Sequence, residues 1–323
     1  MMHDIGYPEA AAFLRERDGF LVFTHANPDG DTLGSAAALV RVLRYMGKKA
    51  NAFCPDTIPE KLTFMGTDEL FISELPARIE TAVCVDIASL QRLGAYADFT
   101  EKRIFDLAID HHRTNTLPCE LRLLKPRYVA CGEAVYELIK HMGAEIDKQT
   151  AIALYTAICS DSGGFKYAST RAETYEYAAE LIRKGVDFAK INRILFEQKT
   201  LAQLSLERAA YKTLEFHCGG KLAIVAIDKE TAERCKAEES DFDTLNQIAR
   251  QTAGVEVSAM LRPRGNETKV SMRSNEYFDV SDFAKRHGGG GHRHAAGYNF
   301  RGNVSEAAKA LIEEMKAEFE DVR

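Results

Sequence analysis

Three short apolar runs, each delivering a side chain that can bind a cation, constrain this chain more than any other feature. Phe20–Phe23 leads into T-H-A-N-P-D-G-D, residues 82–86 read A-V-C-V-D, and residues 106–110 read D-L-A-I-D before His111 and His112. Apolar runs of this length, without polar alternation, are strands buried on both faces. Helical patterns separate and follow them: Leu33, Ala36, Ala37, Val40 and Leu43 at three- and four-residue spacing up to Gly47, then residues 133–142 and 150–159. Strands alternating with helices predict an α/β fold with a doubly wound, mostly parallel sheet. Such sheets bind ligands beyond the carboxyl ends of their strands, where His25, Asp86 and Asp110 emerge.

Residues 188–216 contain neither Gly nor Pro and carry Ile191, Ile194, Leu195, Leu201 and Leu204 as an apolar stripe, which reads as a connecting helix or helix pair. Beyond it, residues 222–227, 255–261 and 269–274 read as strands of a smaller α+β domain. A last helix places Leu311, Ile312 and Met315 on one face. The expected domains are therefore residues 1–187, a helical linker 188–216, and residues 217–323.

The formal charge of −6 rules out a broadly basic surface for long duplex nucleic acid, so any nucleotide contact must come from a local patch or from bound cations. The seven cysteines are scattered and form no C-x-x-C, which argues against a disulfide framework and a structural zinc site. No signal-peptide pattern opens the chain and no run of about 18 apolar residues occurs. The expectation is a cytoplasmic protein without a membrane partner.

His25, Asp29, Asp31, Asp86, Asp110, His111, His112 and Asp161 form an unusual density of hard metal ligands in four short segments. Imidazole and carboxylate without thiolate suit Mn²⁺ or Mg²⁺. Converging carboxylates repel unless cations sit between them, and two ions about 3.5–4 Å apart are the usual arrangement for phosphoryl chemistry. Taken singly, an aspartate at a strand end is commonly a helix cap. A calcium loop starting at Asn27 fails, because its sixth position is Thr32 and its twelfth Ala38.

The segments H-A-N-P-D-G-D-T-L-G-S, V-D, D-H-H-R-T-N and D-S-G-G-F-K-Y resemble the four motifs of the DHH phosphoesterase superfamily. The later S-M-R-S and H-G-G-G-G-H-R-H-A-A-G resemble the DHH-associated domain of its RecJ and nanoRNase branch. The likeness runs from about Val22 to Phe300 and is closest to the compact nanoRNase/pAp-phosphatase group. It implies two Mn²⁺ ions per chain, with Mg²⁺ or Co²⁺ as alternatives. His25 and Asp29 would hold one ion, Asp31, His111 and Asp161 the other, and Asp86 would bridge both. Asp110 would orient the histidines, and His112 would face the reacting phosphate. Ser162 stands where threonine is more usual, and Cys131-Gly132-Glu133 where a hydroxyl residue is common.

The resemblance also places Arg273, Ser274, Gly289, Gly290, Gly291 and His292 on the substrate. The glycine tract reads as close backbone approach to an anion rather than a linker, and no Walker-type Gly-Lys-Ser/Thr follows it. Arg262, Arg264, Lys269, Lys285, Arg286 and Arg293 surround these positions, mostly as solvated charge, and residues 238–243 read as a solvated acidic turn. The implied substrates are short RNA or DNA oligonucleotides, cut to mononucleotides, and pAp, dephosphorylated to AMP. A homodimer is compatible with this reading. The alternatives are a RecJ-like exonuclease, a cyclic-dinucleotide phosphodiesterase, a pyrophosphatase, or a nucleotide-binding regulator without catalysis.

Overall fold

The fully apolar runs form the middle of a parallel sheet because only strands covered on both faces can afford such sequences. The computed structural model describes residues 2–99, 103–238, 241–242 and 245–320, and the chain divides into two compact units, Met1–Gln198 and Lys199–Arg323. Strands β1 (His3–Asp4), β2 (Phe20–Phe23), β3 (Ala50–Phe53), β4 (Phe71–Ile72), β5 (Thr81–Val85), β6 (Phe105–Asp110) and β7 (Cys119–Leu124) form the first unit's sheet. Their order is β1-β7-β6-β5-β2-β3-β4, and every pairing is parallel. From β2 the chain steps outward through β3 and β4. It then returns to place β5 on the other side of β2 and steps the opposite way through β6 and β7. The reversal between β2 and β5 is a topological switch point, the place where doubly wound sheets open a crevice.

Alternate strand residues face two cores. Phe20, Val22, Val83, Val85, Leu107 and Ile109 pack with the helices Tyr7–Glu16, Gly30–Tyr45, Cys131–Met142 and Lys148–Asp161. Leu21, Phe23, Ala82, Cys84 and Ala108 pack on the other face with Phe53, Phe105 and Leu93. The helix Gly30–Tyr45 is buried along nearly its whole length against Lys148–Asp161. Glycine makes that approach possible. A Cβ on Gly34 would lie 2.4 Å from the Ala153 carbonyl oxygen, and one on Gly30 would lie 2.7 Å from Ser160 Cβ. The antiparallel contact brings the first turn of one helix, with Asp31, to the end of the other, with Asp161.

The second unit has a mixed sheet of β8 (Glu215–His217), β9 (Leu222–Ala226), β10 (Val257–Arg264), β11 (Glu267–Ser274), β12 (Gly290–His292) and β13 (Ala295–Phe300), in the order β12-β13-β11-β10-β9-β8. The helix Val304–Glu320 covers one face through Leu311, Met315 and Phe319, and helices Leu201–Lys212 and Leu245–Arg250 cover the other.

The expected connection 188–216 is not one continuous helical element. It is helical over Phe188–Asn192 and Arg193–Glu197, extended at Gln198, and helical again from Leu201 to Lys212. It then enters β8 before Phe216. Thr200 restarts the helix: its Oγ1 accepts from Gln203 N, and its own N–H donates to Gln203 Oε1. Of the expected apolar stripe, Ile191 is buried, but Leu201 and Leu204 are exposed, because Leu206 and Ala210 form the inward face of that helix. In the acidic stretch 238–243, residues 239, 240 and 243 lie outside the described residues, and Asp241 and Phe242 are buried rather than solvated. All seven cysteines are free thiols, and no helix among the described residues is long and apolar enough to cross a membrane.

Because the Gly34 contact is against backbone, Gly34→Ala should force the two helices apart at a cost of about 1–3 kcal/mol. A thermal melt should show Tm lowered by several degrees. An unchanged Tm would contradict the close crossing.

Candidate metal centre

The three ligand-bearing strands are neighbours. His25 lies two residues past β2, Asp86 one residue past β5, and Asp110 is the last residue of β6. Asp86 adopts φ 60° and Asn27 φ 52°, left-handed conformations that Asp and Asn tolerate best among residues with a Cβ. Asp29 is the N-cap of helix Gly30–Tyr45: its Oδ1 accepts from Asp31 N (3.0 Å) and Thr32 N (3.1 Å). Its other oxygen, Oδ2, lies 3.6 Å from His25 Nε2. The cap and the ligand are two oxygens of one carboxylate.

The side chains converge on Asp86. Its Oδ2 is 3.4 Å from His25 Nε2, and its Oδ1 is 3.4 Å from His111 Nε2 and 3.5 Å from His112 Nδ1. His111 Nε2 also lies 3.4 Å from Asp161 Oδ2 and 3.8 Å from Asp31 Oδ2. His25 Nδ1 lies 2.9 Å from the Ala26 carbonyl and His111 Nδ1 3.2 Å from the Tyr128 carbonyl. A carbonyl only accepts, so both rings carry a proton on Nδ1 and, when neutral, aim the Nε2 lone pair into the cluster. His25 Nε2, His111 Nε2 and Asp86 Oδ1 are buried and have no hydrogen-bond partner. Buried polar atoms are rarely left so. Donor atoms about 2.1 Å from a shared ion lie about 3.0–3.4 Å from one another. The cluster fits divalent cations, and its donors fall into the groups His25–Asp29–Asp86, Asp31–His111–Asp161 and Asp86–Asp110–His111–His112.

The electrostatics favour positive charge at the same point. Burial, reinforced by the charges of Asp86 and Asp161, raises Asp31 well above the usual carboxylate range. Burial and the charges of Asp86 and Asp29 push Asp161 up to about 7. Burial alone would lower the imidazoles, but the neighbouring carboxylates of Asp29 and Asp86 raise His25 to about 10. Asp86, Asp31 and Asp161 likewise raise His111 to about 10. Burial would also raise Asp86, yet the two histidines hold it below its ordinary value. The protein alone meets its crowded carboxylates with protons, and a cation would displace them.

A second layer fixes these ligands. Asp31 accepts from Ser35 Oγ (3.1 Å), Cys131 N (2.6 Å) and Gly132 N (2.8 Å). Asp110 Oδ1 accepts from His111 N and His112 Nδ1, both at 2.8 Å, and Asp110 Oδ2 from Asn115 Nδ2 at 2.5 Å. Asp110 thus turns the exposed Nε2 side of His112 away from itself. The residue that composition and spacing did not reveal is Glu133. Fully buried, it accepts from Val129 N (3.0 Å), Arg171 (3.3 Å) and the Thr174 hydroxyl. It thereby staples residues 128–132, which supply the acceptor for His111 and two donors for Asp31. A buried acid directly after a Cys-Gly pair was the available signal.

The substrate candidates lie on the second unit's sheet. Arg273 on β11 and His292 on β12 both pair with Ala295 of β13, which sets them on one face, about 10 Å apart. The expectation of an open glycine cradle is corrected in part. A Cβ on Gly289 would lie 2.2 Å from the Gly297 carbonyl oxygen, and one on Gly291 2.4 Å from that of Ala295, so both serve close strand pairing. Of the three expected contact glycines, Gly290 alone faces open space. Ser274 is buried 2.9 Å from His294 Nδ1, so it positions His294, an exposed residue not singled out from sequence. Most neighbouring cations are engaged: Arg262 lies buried over Phe242, Lys285 pairs with Asp282, Arg286 with Glu318, and Arg293 reaches the Tyr277 carbonyl.

Comparison with known proteins gives the same organisation. Residues 19–158 match the DHH family, N-terminal domain, and residues 219–321 match the DHHA1 domain. The bifunctional oligoribonuclease and PAP phosphatase NrnA of Thermus thermophilus is 31% identical over 302 residues, covering 92% of this chain and 89% of that protein. The protein of the same name from Bacillus subtilis is 25% identical over 283 residues, covering 87% and 88%. The crystal structure of an exopolyphosphatase-related protein from Bacteroides fragilis is similar with a TM-score of 0.89 at 26% identity, covering 97% of each chain.

Glu133→Gln tests the second layer. The amide replaces one of the two acceptor oxygens by a donor, so either Val129 N and Arg171 or the Thr174 hydroxyl loses its acceptor. Calorimetric titration with Mn²⁺ should show an affinity lower by about 10- to 100-fold. An isotherm matching wild type would separate Glu133 from the site.

Proposed function

Because the chain belongs to the DHH family, we propose that it hydrolyses short oligonucleotides to mononucleotides and removes a phosphate from pAp, using two Mn²⁺ ions per chain. The observation that carries this reading is the convergence of three buried, unpartnered donor atoms, His25 Nε2, His111 Nε2 and Asp86 Oδ1. The names of the relatives support the substrate class. Seven free thiols are consistent with a reducing, cytoplasmic setting.

In this reading His25 and Asp29 would hold one ion, Asp31, His111 and Asp161 the other, and Asp86 would serve both. The ions supply Lewis acidity, which makes water acidic enough to attack near neutral pH and neutralises charge on the phosphoryl group. The protein holds its ligands in place through the Ala26 and Tyr128 carbonyls and the donors on Asp31, so little reorganisation is needed as charge develops. His112 has its Nδ1 proton committed to Asp110, 2.8 Å away, and burial is outweighed by that carboxylate so that its pKa is raised. Its Nε2 is the group placed to give a proton to the departing ester oxygen. Arg273, Gly290 and His292, with His294 beside them, are the substrate contacts of the second unit.

Incubation with Mn²⁺ and pAp, pApA, RNA of increasing length, pyrophosphate or polyphosphate should give turnover of the first three only. Asp86→Ala should remove most of a rate enhancement on the order of 10⁶ or more while the far-UV spectrum stays native. Near-normal turnover by metal-replete Asp86→Ala protein would sink the two-metal assignment.

Substrate length gives an independent check. A chain of net charge −6 with a compact cation group neutralises few phosphates at once, so kcat/KM should peak at about two to four nucleotides and fall only moderately with salt. A steady rise out to about twenty nucleotides, with a steep salt slope, would favour a processive exonuclease instead.

A further inference from the structure

Asp161 ends its helix, and the chain then passes through three consecutive residues of positive φ: Gly163 (60°), Gly164 (69°) and Phe165 (66°). Glycine takes this conformation freely, whereas for Phe165 it costs about 1–2 kcal/mol. The turn is held by its own hydrogen bonds: Gly163 N to Ser160 O (3.1 Å), Gly164 N to Cys159 O (2.8 Å) and Phe165 N to Ser162 Oγ (3.0 Å). It turns Phe165 toward Tyr155 and Tyr175, with ring centroids 5.9 and 5.5 Å away, and the Tyr175 hydroxyl donates to the Phe165 carbonyl. Lys166 and Tyr167, which follow, are exposed.

The two glycines each carry an aromatic ring. A Cβ on Gly163 would lie 2.5 Å from the Tyr167 ring, and one on Gly164 3.3 Å from the Phe196 ring. Both rings nonetheless stay open to solvent, Tyr167 at 54% and Phe196 at 40%. The Lys166 ammonium lies 6.0 Å from the Phe196 centroid. Gly163 is two residues from Asp161, so the chain separates them by at most about 7 Å. Two exposed rings and a cation thus rest on the turn that directly follows Asp161 in the chain, the residue that closes the metal cluster. Rings seated on glycine are fixed at low entropic cost, and a π face accepts any base.

We propose that Tyr167 and Phe196 form a ledge on which a nucleobase stacks, with Lys166 drawing the adjoining phosphate. The first unit then recognises the base of the nucleotide whose phosphate meets the metal cluster, selecting for a base without selecting which one. This proposal rests on the nucleotide-hydrolase reading, which assigns base contacts to no residue of the first unit.

The test is binding of 2-aminopurine riboside 5′-monophosphate, a product-type nucleotide whose fluorescence falls on stacking, to the Mg²⁺-loaded full chain. Tyr167→Ala and Phe196→Ala should each weaken binding by about 5- to 150-fold, and Tyr167→Phe should bind as wild type. Ribose 5-phosphate, which lacks the base, should compete equally well against all four proteins. The proposal is overturned if Tyr167→Ala binds the fluorescent nucleotide as tightly as wild type. It is equally overturned if Tyr167→Ala loses ribose 5-phosphate to the same extent, or if Tm falls and Tyr167→Phe fails to restore binding, since the rings would then be packing groups. Ring-dependent binding by a protein that hydrolyses neither pAp nor pApA would leave the ledge standing and remove the hydrolase reading alone.

Discussion

Asp29, Asp31, Asp86 and Asp161 are crowded round two imidazoles at one end of a parallel sheet, and the rest of the first unit depends on how that charge is compensated. Charges this close, with two of the carboxylates fully buried or nearly so, cannot all ionise without cations among them. The two histidines keep their Nδ1 protons on backbone carbonyls and meet the carboxylates through Nε2, which takes up a second proton in the protein alone and is freed for a cation when that proton is displaced. Without those protons the cluster is a set of lone pairs facing one another, an arrangement that is costly for a protein by itself and favourable around divalent ions.

Holding that arrangement requires close packing rather than extra charge. Gly34 and Gly30 let two helices approach until backbone meets backbone, which fixes Asp31 against Asp161. Glu133 ties the segment 128–132 from behind, so that one buried carboxylate orients both a histidine and an aspartate. Asp110 does the same for His112. Each of these groups is satisfied, which is why they rigidify the site instead of adding to its electrostatic load.

The second unit solves a different problem. Its short edge strand β12 and the residue before it are glycine-rich because β13 lies too close for side chains at residues 289 and 291. The pairing it permits brings His292 into line with Arg273 across Ala295. Tight strand packing therefore takes two glycines of the tract and leaves Gly290 open, and the buried Ser274 holds His294 through a hydrogen bond.

The sequence by itself determined the parallel sheet, because runs such as A-V-C-V and L-A-I are stable only when covered on both faces. It also determined the chemical character of the site, because hard ligands at three strand ends must meet wherever adjacent parallel strands end. Tertiary structure decided the rest. The short strands β1, β3 and β4 carry too little periodicity to be read, and are strands because neighbours complete their ladders. That residues 188–216 break at Gln198 reflects the competing cap at Thr200, whose advantage shows only when Leu206 and Ala210 have a core to enter. The roles of Glu133, His294, Tyr167 and Phe196 were likewise beyond the sequence. A side chain's hydrogen-bond partners and exposure are set by residues distant along the chain, and only folding brings those together.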